Sequence, residues 1–248
     1  MKNKKKAMKT LPLLTLIFFT SICFGQTNYY YQNDGNMLQS KADVKFHYEL
    51  LIARHNEMSI KPTIYHREIR NDSIINYYSF ISESGDTTKL PAFEFLFRQD
   101  PIFLYLNKKL PEFKLIDIKG NDFSLEQIER KPTLINFTAI YCKPCLEEIP
   151  RLNQLKRLYK NKINFIAIFD VERNPGDVEK TIVKHPFDFR IIRNTESFKN
   201  QLNIKNLPYN IFIDKDGYIR YIQRGYNYFY GVSDNNYFTR ILDELLKK

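Results

Sequence analysis

Thr133-Leu134-Ile135-Asn136-Phe137-Thr138-Ala139-Ile140-Tyr141-Cys142-Lys143-Pro144-Cys145-Leu146-Glu147-Glu148-Ile149-Pro150 decides the fold. Its first six residues read as a strand buried on both faces. From 146 to 159 apolar residues recur at Leu152, Leu155 and Leu158 with charges between them, the period of a helix. Cys142 and Cys145 thus stand where a buried strand hands over to a helix. Disulfide exchange needs a thiolate, and the positive end of a helix dipole stabilises one on its first turn. Lys143 adds a cation beside it. Cys142 is therefore expected to be the exposed nucleophile, more acidic than a free thiol at about 8.5. Cys145, one turn further in, is expected to be the resolving thiol. Pro144 is tolerated because first-turn N–H groups have no partner within the helix.

The carboxyl-terminal side continues an alternating pattern. A second buried strand is predicted at 163–169 and a helix at 178–183. A strand-like piece follows at 187–192, and a short helix at 198–202. Residues 210–213 and 218–223 flank Asp214-Lys215-Asp216-Gly217 and read as a hairpin. A last helix runs through Phe238, Ile241 and Leu245. On the amino-terminal side, 113–118 reads as a strand, Gly120-Asn121 as a turn, and 125–128 as a short helix. The order β-α-β-α then β-β-α predicts an α/β sheet with an antiparallel edge. Residues 226–236 form a Tyr/Asn-rich insertion to which the sequence assigns no role.

Residues 26–108 carry no chemical motif. Residues 27–36 read as a polar lead-in, 41–54 as a helix, and 63–69 and 74–81 as two strands around Asn71-Asp72-Ser73. Gly85-Asp86 marks a turn, and 90–106, interrupted by Pro91 and Pro101, is left unassigned. His47, His55 and His66 lack the spacing of metal ligands and read as packed or solvated side chains. No metal and no cofactor is expected.

The chain of 248 residues carries 38 Lys and Arg against 28 Asp and Glu, a formal charge of +10. Five of those lysines (Lys2, Lys4, Lys5, Lys6 and Lys9) precede an apolar run from 11 to 24. This is the layout of a secretory signal peptide, with small residues Cys23 and Gly25 at −3 and −1. Cleavage would leave Gln26 as the mature amino terminus and halve the charge to +5. With no arginine-rich run or nucleic-acid motif, a polyanion partner is not expected. The apolar run falls short of the roughly 20 residues needed to span a bilayer. Lipidation at Cys23 would call for a small residue where Ile22 stands. The protein is expected to be exported to the periplasm or cell envelope. Its mature form then has two cysteines. A bridge between them closes too short a loop to restrain the unfolded chain much, so a purely structural disulfide is not the expected role.

The run from Asn136 to Pro150 resembles the active-site signature of TlpA/ResA-type thiol–disulfide oxidoreductases, roughly N-F-W-A-x-W-C-x-P-C-x-x-E-x-P. Leu207-Pro208-Tyr209-Asn210-Ile211-Phe212-Ile213-Asp214-Lys215-Asp216-Gly217 is similar to that family's proline loop and following hairpin. Pro111-Glu112-Phe113 and Gly225 also fit. The resemblance covers about 109–248 and implies a thioredoxin-like fold, a central mixed sheet flanked by helices. Residues 26–108 would then be an α+β extension. It implies that Cys142 attacks and Cys145 resolves, and that Glu148 assists proton transfer, although a solvated helix charge remains the plainer reading of that residue. It implies a cis Pro208 facing the disulfide, with the Leu207 backbone pairing to a bound substrate strand. Tyr141 and Lys143 would flank the docking surface. Tyr141 and Thr138 stand where the family has tryptophans, which alters the surface around Cys142. Asn136 replaces the buried aspartate of thioredoxin itself. Implied partners are proteins carrying thiols or disulfides, and a membrane or envelope electron donor upstream. The resemblance favours a reductase over an oxidase.

Other readings fit less well. Zinc would need four ligands, and there is no second cysteine pair. A peroxiredoxin-like peroxidase would need Thr or Ser where Ala139 stands. A Sco-type copper carrier would need a wider cysteine spacing. A redox-inactive adaptor on the same fold would leave both cysteines without a purpose.

Overall fold

The computed structural model describes residues 27–32, 39–54, 59–83, 92–128, 130–170, 174, 176–193, 195–225 and 235–247. The leader, Gln26, His55, the Gly85-Asp86 turn and most of the 226–236 insertion lie outside the described residues.

Before the cysteine motif the elements are β1 (Thr27–Gln32), α1 (Lys41–Arg54), β2 (Ser59–Arg70), β3 (Ser73–Glu83), β4 (Leu96–Phe97), β5 (Lys114–Ile116), β6 (Asp122–Ser124) and α2 (Leu125–Ile128). From the motif onward they are β7 (Thr133–Thr138), α3 (Lys143–Tyr159), β8 (Asn164–Phe169), α4 (Asp177–Lys184), β9 (Arg190–Ile192), α5 (Glu196–Gln201), β10 (Tyr209–Ile213), β11 (Ile219–Arg224) and α6 (Asn235–Lys247).

The central sheet has the order β11-β10-β7-β8-β9. β7, β8 and β9 are parallel, while β10 runs antiparallel to both β7 and β11. This is the mixed thioredoxin-like sheet with its antiparallel edge. All six residues of β7 are buried, as a central strand covered on both faces requires. On one face Ile135 and Phe137 join Ile211, Ile213, Phe198 and Phe123. On the other, Leu134 and Phe212 meet Ile149, Leu152 and Leu155 of α3 and Phe238, Ile241 and Leu242 of α6. Gly217, at φ +86°, supplies the left-handed turn that joins β10 to β11.

The amino-terminal strands form a separate four-stranded sheet, β1-β3-β2-β4. Here the expected polar lead-in is corrected: Thr27–Gln32 is a strand, paired in parallel with Ser73–Tyr78. Buried Asn76 helps hold it by donating to the Tyr29 carbonyl at 3.1 Å. The unassigned 90–106 stretch contains β4 and a 3-10 turn at Pro101–Tyr105, capped by Asp100. Tyr65 of β2 and Ile102 and Phe103 of that turn share the apolar cluster of Ile135 and Phe137. The two sheets are thus packed through one core. Among the described residues no helix is long and apolar enough to cross a membrane.

Candidate active site

β7 ends at Thr138, and four residues later the chain enters α3 with Cys142 as its N-cap. Cys142 is extended, at φ −93° and ψ 97°, and its sulfur accepts the Cys145 N–H at 3.3 Å. The two cysteines are joined as a disulfide, with their Cα atoms 5.2 Å apart. Their surroundings differ sharply: Cys142 is half-buried, whereas Cys145 is 1% exposed. A reagent approaching from solvent therefore meets Cys142. Pro144 occupies the first helical turn, where its missing N–H leaves no bond unmade.

Lys143 projects into solvent and lies 3.8 Å from Glu147 one turn on. Such exposed pairs are weak, but this one shares the lysine charge with a carboxylate instead of directing it wholly at the sulfur. Of the two residues in tryptophan positions, Thr138 is fully buried and adds nothing to the surface. Tyr141 is 58% exposed beside Cys142. Its hydroxyl donates to Asp170 at the end of β8, 2.6 Å away, and Lys199 of α5 pairs with the other Asp170 oxygen.

Glu148 is not a solvated charge. It is 0% exposed, on the same inward face of α3 as Cys145, one turn further along. Asn136 Nδ2 donates to its Oε2 at 3.2 Å, and Asn210 Nδ2 to its Oε1 at 2.6 Å. The network continues sideways. Asn136 also donates to Asn210 Oδ1 at 3.0 Å, and Asn210 to Gln223 Oε1 at 2.8 Å. Gln223 in turn donates to the Gly225 carbonyl at 2.8 Å. Asn136 faces Asn210 and Asn210 faces Gln223 in the strand register. The result is a row of amides across β7, β10 and β11 with a carboxyl seated on it. A carboxylate accepting amide hydrogen bonds on both oxygens is solvated by fixed dipoles where water is excluded. Asn210 and Gln223 were missed from sequence; an amide within the mostly apolar run 209–213 was the available signal for Asn210, and Gln223, among charged and aromatic neighbours in β11, offered none.

The Leu207–Pro208 bond is cis, as the resemblance implies. Pro208 is buried just ahead of β10, at the same end of the sheet as the Cys142 turn, since Tyr209 pairs with Phe137. Its carbonyl accepts the Gly225 N–H at 2.8 Å. His66 is packed, its ring stacked on Phe103 at 4.8 Å, and burial lowers its pKa. His47 Nδ1 lies 3.2 Å from Gln39 Nε2. Among the described residues no group of three or more His, Cys, Asp or Glu side chains could hold a metal ion.

A redox-capable cysteine pair heading a helix, on a mixed thioredoxin-like sheet, defines an enzyme of the thiol–disulfide oxidoreductase class. The family model described as Redoxin matches residues 106–238, more than half of the chain, and the chain belongs to that family, in its TlpA/ResA-type branch. Thiol-disulfide oxidoreductase ResA of Geobacillus kaustophilus (strain HTA426) is 33% identical over 116 residues, covering 46% of this chain and 67% of that protein. Thioredoxin-like protein YneN of Bacillus subtilis (strain 168) is 27% identical over 120 residues, 48% of this chain and 71% of its own. Among solved structures, one assigned as a thiol:disulfide interchange protein DsbE from Chlorobium tepidum superposes with a TM-score of 0.51 at 21% identity. It covers 57% of this chain and 97% of that one, a likeness of fold.

Proposed function

We propose that the chain is an exported reductase of protein disulfides, with residues 109–248 as the exchange domain and 26–108 as an accessory α+β region. The observation that carries the division of labour is the contrast between half-buried Cys142 and enclosed Cys145. In the dithiol form, the Cys142 thiolate attacks one sulfur of a substrate disulfide. The substrate's own S–S bond breaks, and its departing thiolate takes up a proton. A mixed disulfide now links Cys142 to the substrate. The Cys145 thiol then gives its proton to the Glu148 carboxylate and attacks Cys142 Sγ. The substrate leaves as a second thiolate and takes up the proton held by Glu148, which returns to a carboxylate; the substrate has gained two electrons and two protons, and Cys142–Cys145 is oxidised. A dithiol donor in the membrane or envelope returns the pair to its reduced state by the same chemistry in reverse.

Leu207 and Pro208 are assigned to docking, with the Leu207 backbone pairing to the substrate segment beside its cysteine. Tyr141, exposed and anchored through Asp170, forms the opposite wall, and Lys143 lies at the rim. The helix terminus together with a lysine shared with Glu147 gives only moderate thiolate stabilisation, which supports a reducing poise. The basic, apolar leader supports export.

The test is a trapping experiment in the native envelope. Cys145→Ser cannot resolve, so substrate should accumulate on Cys142 as a mixed disulfide visible by mass spectrometry after acid quench. Cys142→Ser should give no adduct. Equal adducts from both variants would refute the assigned roles, as would none from either while the unaltered protein reduces insulin.

A further inference from the structure

The carboxyl of Asp100 belongs to the region that precedes the exchange domain, yet it reaches the hairpin that carries Pro208. Its Oδ2 accepts a hydrogen bond from the Tyr209 hydroxyl and lies 3.3 Å from Arg224 Nε. Tyr209 and Arg224 are opposite one another in the β10–β11 register. On the next rung outward, Gly225 N–H donates to the Pro208 carbonyl. A single oxygen therefore ties both strands together directly beneath the loop that presents Leu207 and Pro208.

Asp100 is itself held from behind. Its N–H donates to the Tyr65 carbonyl at 2.8 Å, and its Oδ1 accepts from Ile102 N–H at 3.4 Å. The Arg224 guanidinium lies over the Tyr65 ring, 5.3 Å from its centre, and Tyr65 is 1% exposed. Burial, and then the negative charge of Asp100, push the Tyr209 hydroxyl well above its usual range, so it stays a donor throughout the range in which thiols titrate. The hairpin is thereby fastened to β2 through two groups outside the central sheet.

Fastening matters because docking tolerances are small. A displacement of about 1 Å in a bound group can cost on the order of a hundredfold in rate. We propose that Asp100 is a positioning residue for substrate docking, holding Tyr209 and Arg224 so that the Leu207–Pro208 edge faces the cysteines in a fixed register. It would serve extended protein segments that pair with the Leu207 backbone. Small disulfides have no backbone to present and need no such edge. The inference rests on the reading of Leu207–Pro208 as the docking edge.

The test uses the full mature chain, and Asp100→Asn and Tyr209→Phe as conservative variants. Each is assayed on a disulfide-linked peptide and on hydroxyethyl disulfide. The expected result is a KM for the peptide raised about tenfold with kcat within twofold, and a tenfold fall in the peptide-to-hydroxyethyl ratio of kcat/KM. A lowered thermal midpoint with that ratio unmoved would reduce Asp100 to a structural role and overturn the proposal, as would equal losses on both substrates. A third arm checks the underlying reading on the unaltered protein, with a peptide N-methylated beside its cysteine. A raised KM there, with no effect of either variant, would leave the docking edge standing and remove Asp100 from it. An unchanged KM there would remove the docking edge itself.

Discussion

Replacing Asn210 with Leu removes the centre of the amide row without leaving a void, because the two side chains share the same branching and number of heavy atoms and Leu is the bulkier. Three hydrogen bonds go: the 2.6 Å bond to Glu148, the 2.8 Å bond to Gln223 and the 3.0 Å bond from Asn136. All four residues are 2% exposed or less, so water does not readily replace the lost partner. The bond to a carboxylate contributes about 1.5–3 kcal/mol, and each neutral one about 0.5–1.5 kcal/mol. Burying Leu in place of an amide returns on the order of 2 kcal/mol. The expected net destabilisation is about 0.5–4 kcal/mol, centred near 2 kcal/mol. With a urea slope of about 2–3 kcal/mol/M, the midpoint should fall by roughly 1 M. The chain has no Trp, so the transition is best followed by far-UV circular dichroism. No loss of stability, or a gain, would mean that Glu148 does not draw its stabilisation from the row, and the electrostatic account of the site would be wrong.

The reduction potential of the Cys142–Cys145 pair, measured in glutathione buffers, should lie nearer thioredoxin at about −270 mV than a strong oxidant at about −120 mV; a value above about −170 mV would assign an oxidase instead. Burial pushes the Asp117 carboxyl up, but the N–H and side chain of Asn121, the Lys119 N–H and Arg190 outweigh it and hold it below the ordinary value. Asp214 behaves likewise, its burial outweighed by the Tyr218 N–H, the Arg220 side chain and the Asp216 N–H. Depressed carboxyls stabilise the fold above the unfolded value near 3.9, and the contribution fades as pH falls below about 4. Asp117→Asn should therefore weaken the protein at pH 6 and flatten its loss of stability below pH 4; parallel urea midpoints for the two proteins at pH 6, 4 and 3 would count against this. Intact mass of the protein from its native envelope should correspond to a chain beginning at Gln26, and a species retaining Met1 to Gly25, or lipid on Cys23, would contradict the export reading.

What could be read from the sequence was local. β7 announced itself as a run of strand formers, α3 through its apolar period, and the two cysteines through their place between them. The β10–β11 hairpin followed from Asp214-Lys215-Asp216-Gly217, a turn whose chemistry is confined to four residues. What escaped depended on distant partners. Thr27–Gln32 looks like a polar lead-in because its strand character is expressed only against β3, more than forty residues away. Gln223 looks like an ordinary solvent-facing strand residue until the register sets it opposite Asn210. Glu148 could be read as exposed or buried, since a helix of mixed composition leaves its rotation open by a residue. Asp100 carries no signal at all: nothing local connects an aspartate ahead of a proline with a tyrosine more than a hundred positions later.

The amide row has a consequence for how the strands find one another. Side chains alternate along a strand, so a slip of one residue carries every one of them to the opposite face. If β10 moved by one position against β7, Asn210 would turn towards the apolar cluster containing Ile135, Phe137 and Phe198, away from Glu148 and Gln223. Ile211 or Tyr209 would take its place over the Glu148 carboxyl. The apolar side chains of 133–138 and 209–213 specify the register less sharply, because one Ile or Phe substitutes for another in an apolar layer. Asn136, Asn210 and Gln223 make a single alignment the one in which no buried amide goes without a partner. The same three residues that seat the glutamate beside Cys145 therefore tell the chain which rung of β7 the Pro208 loop must begin from.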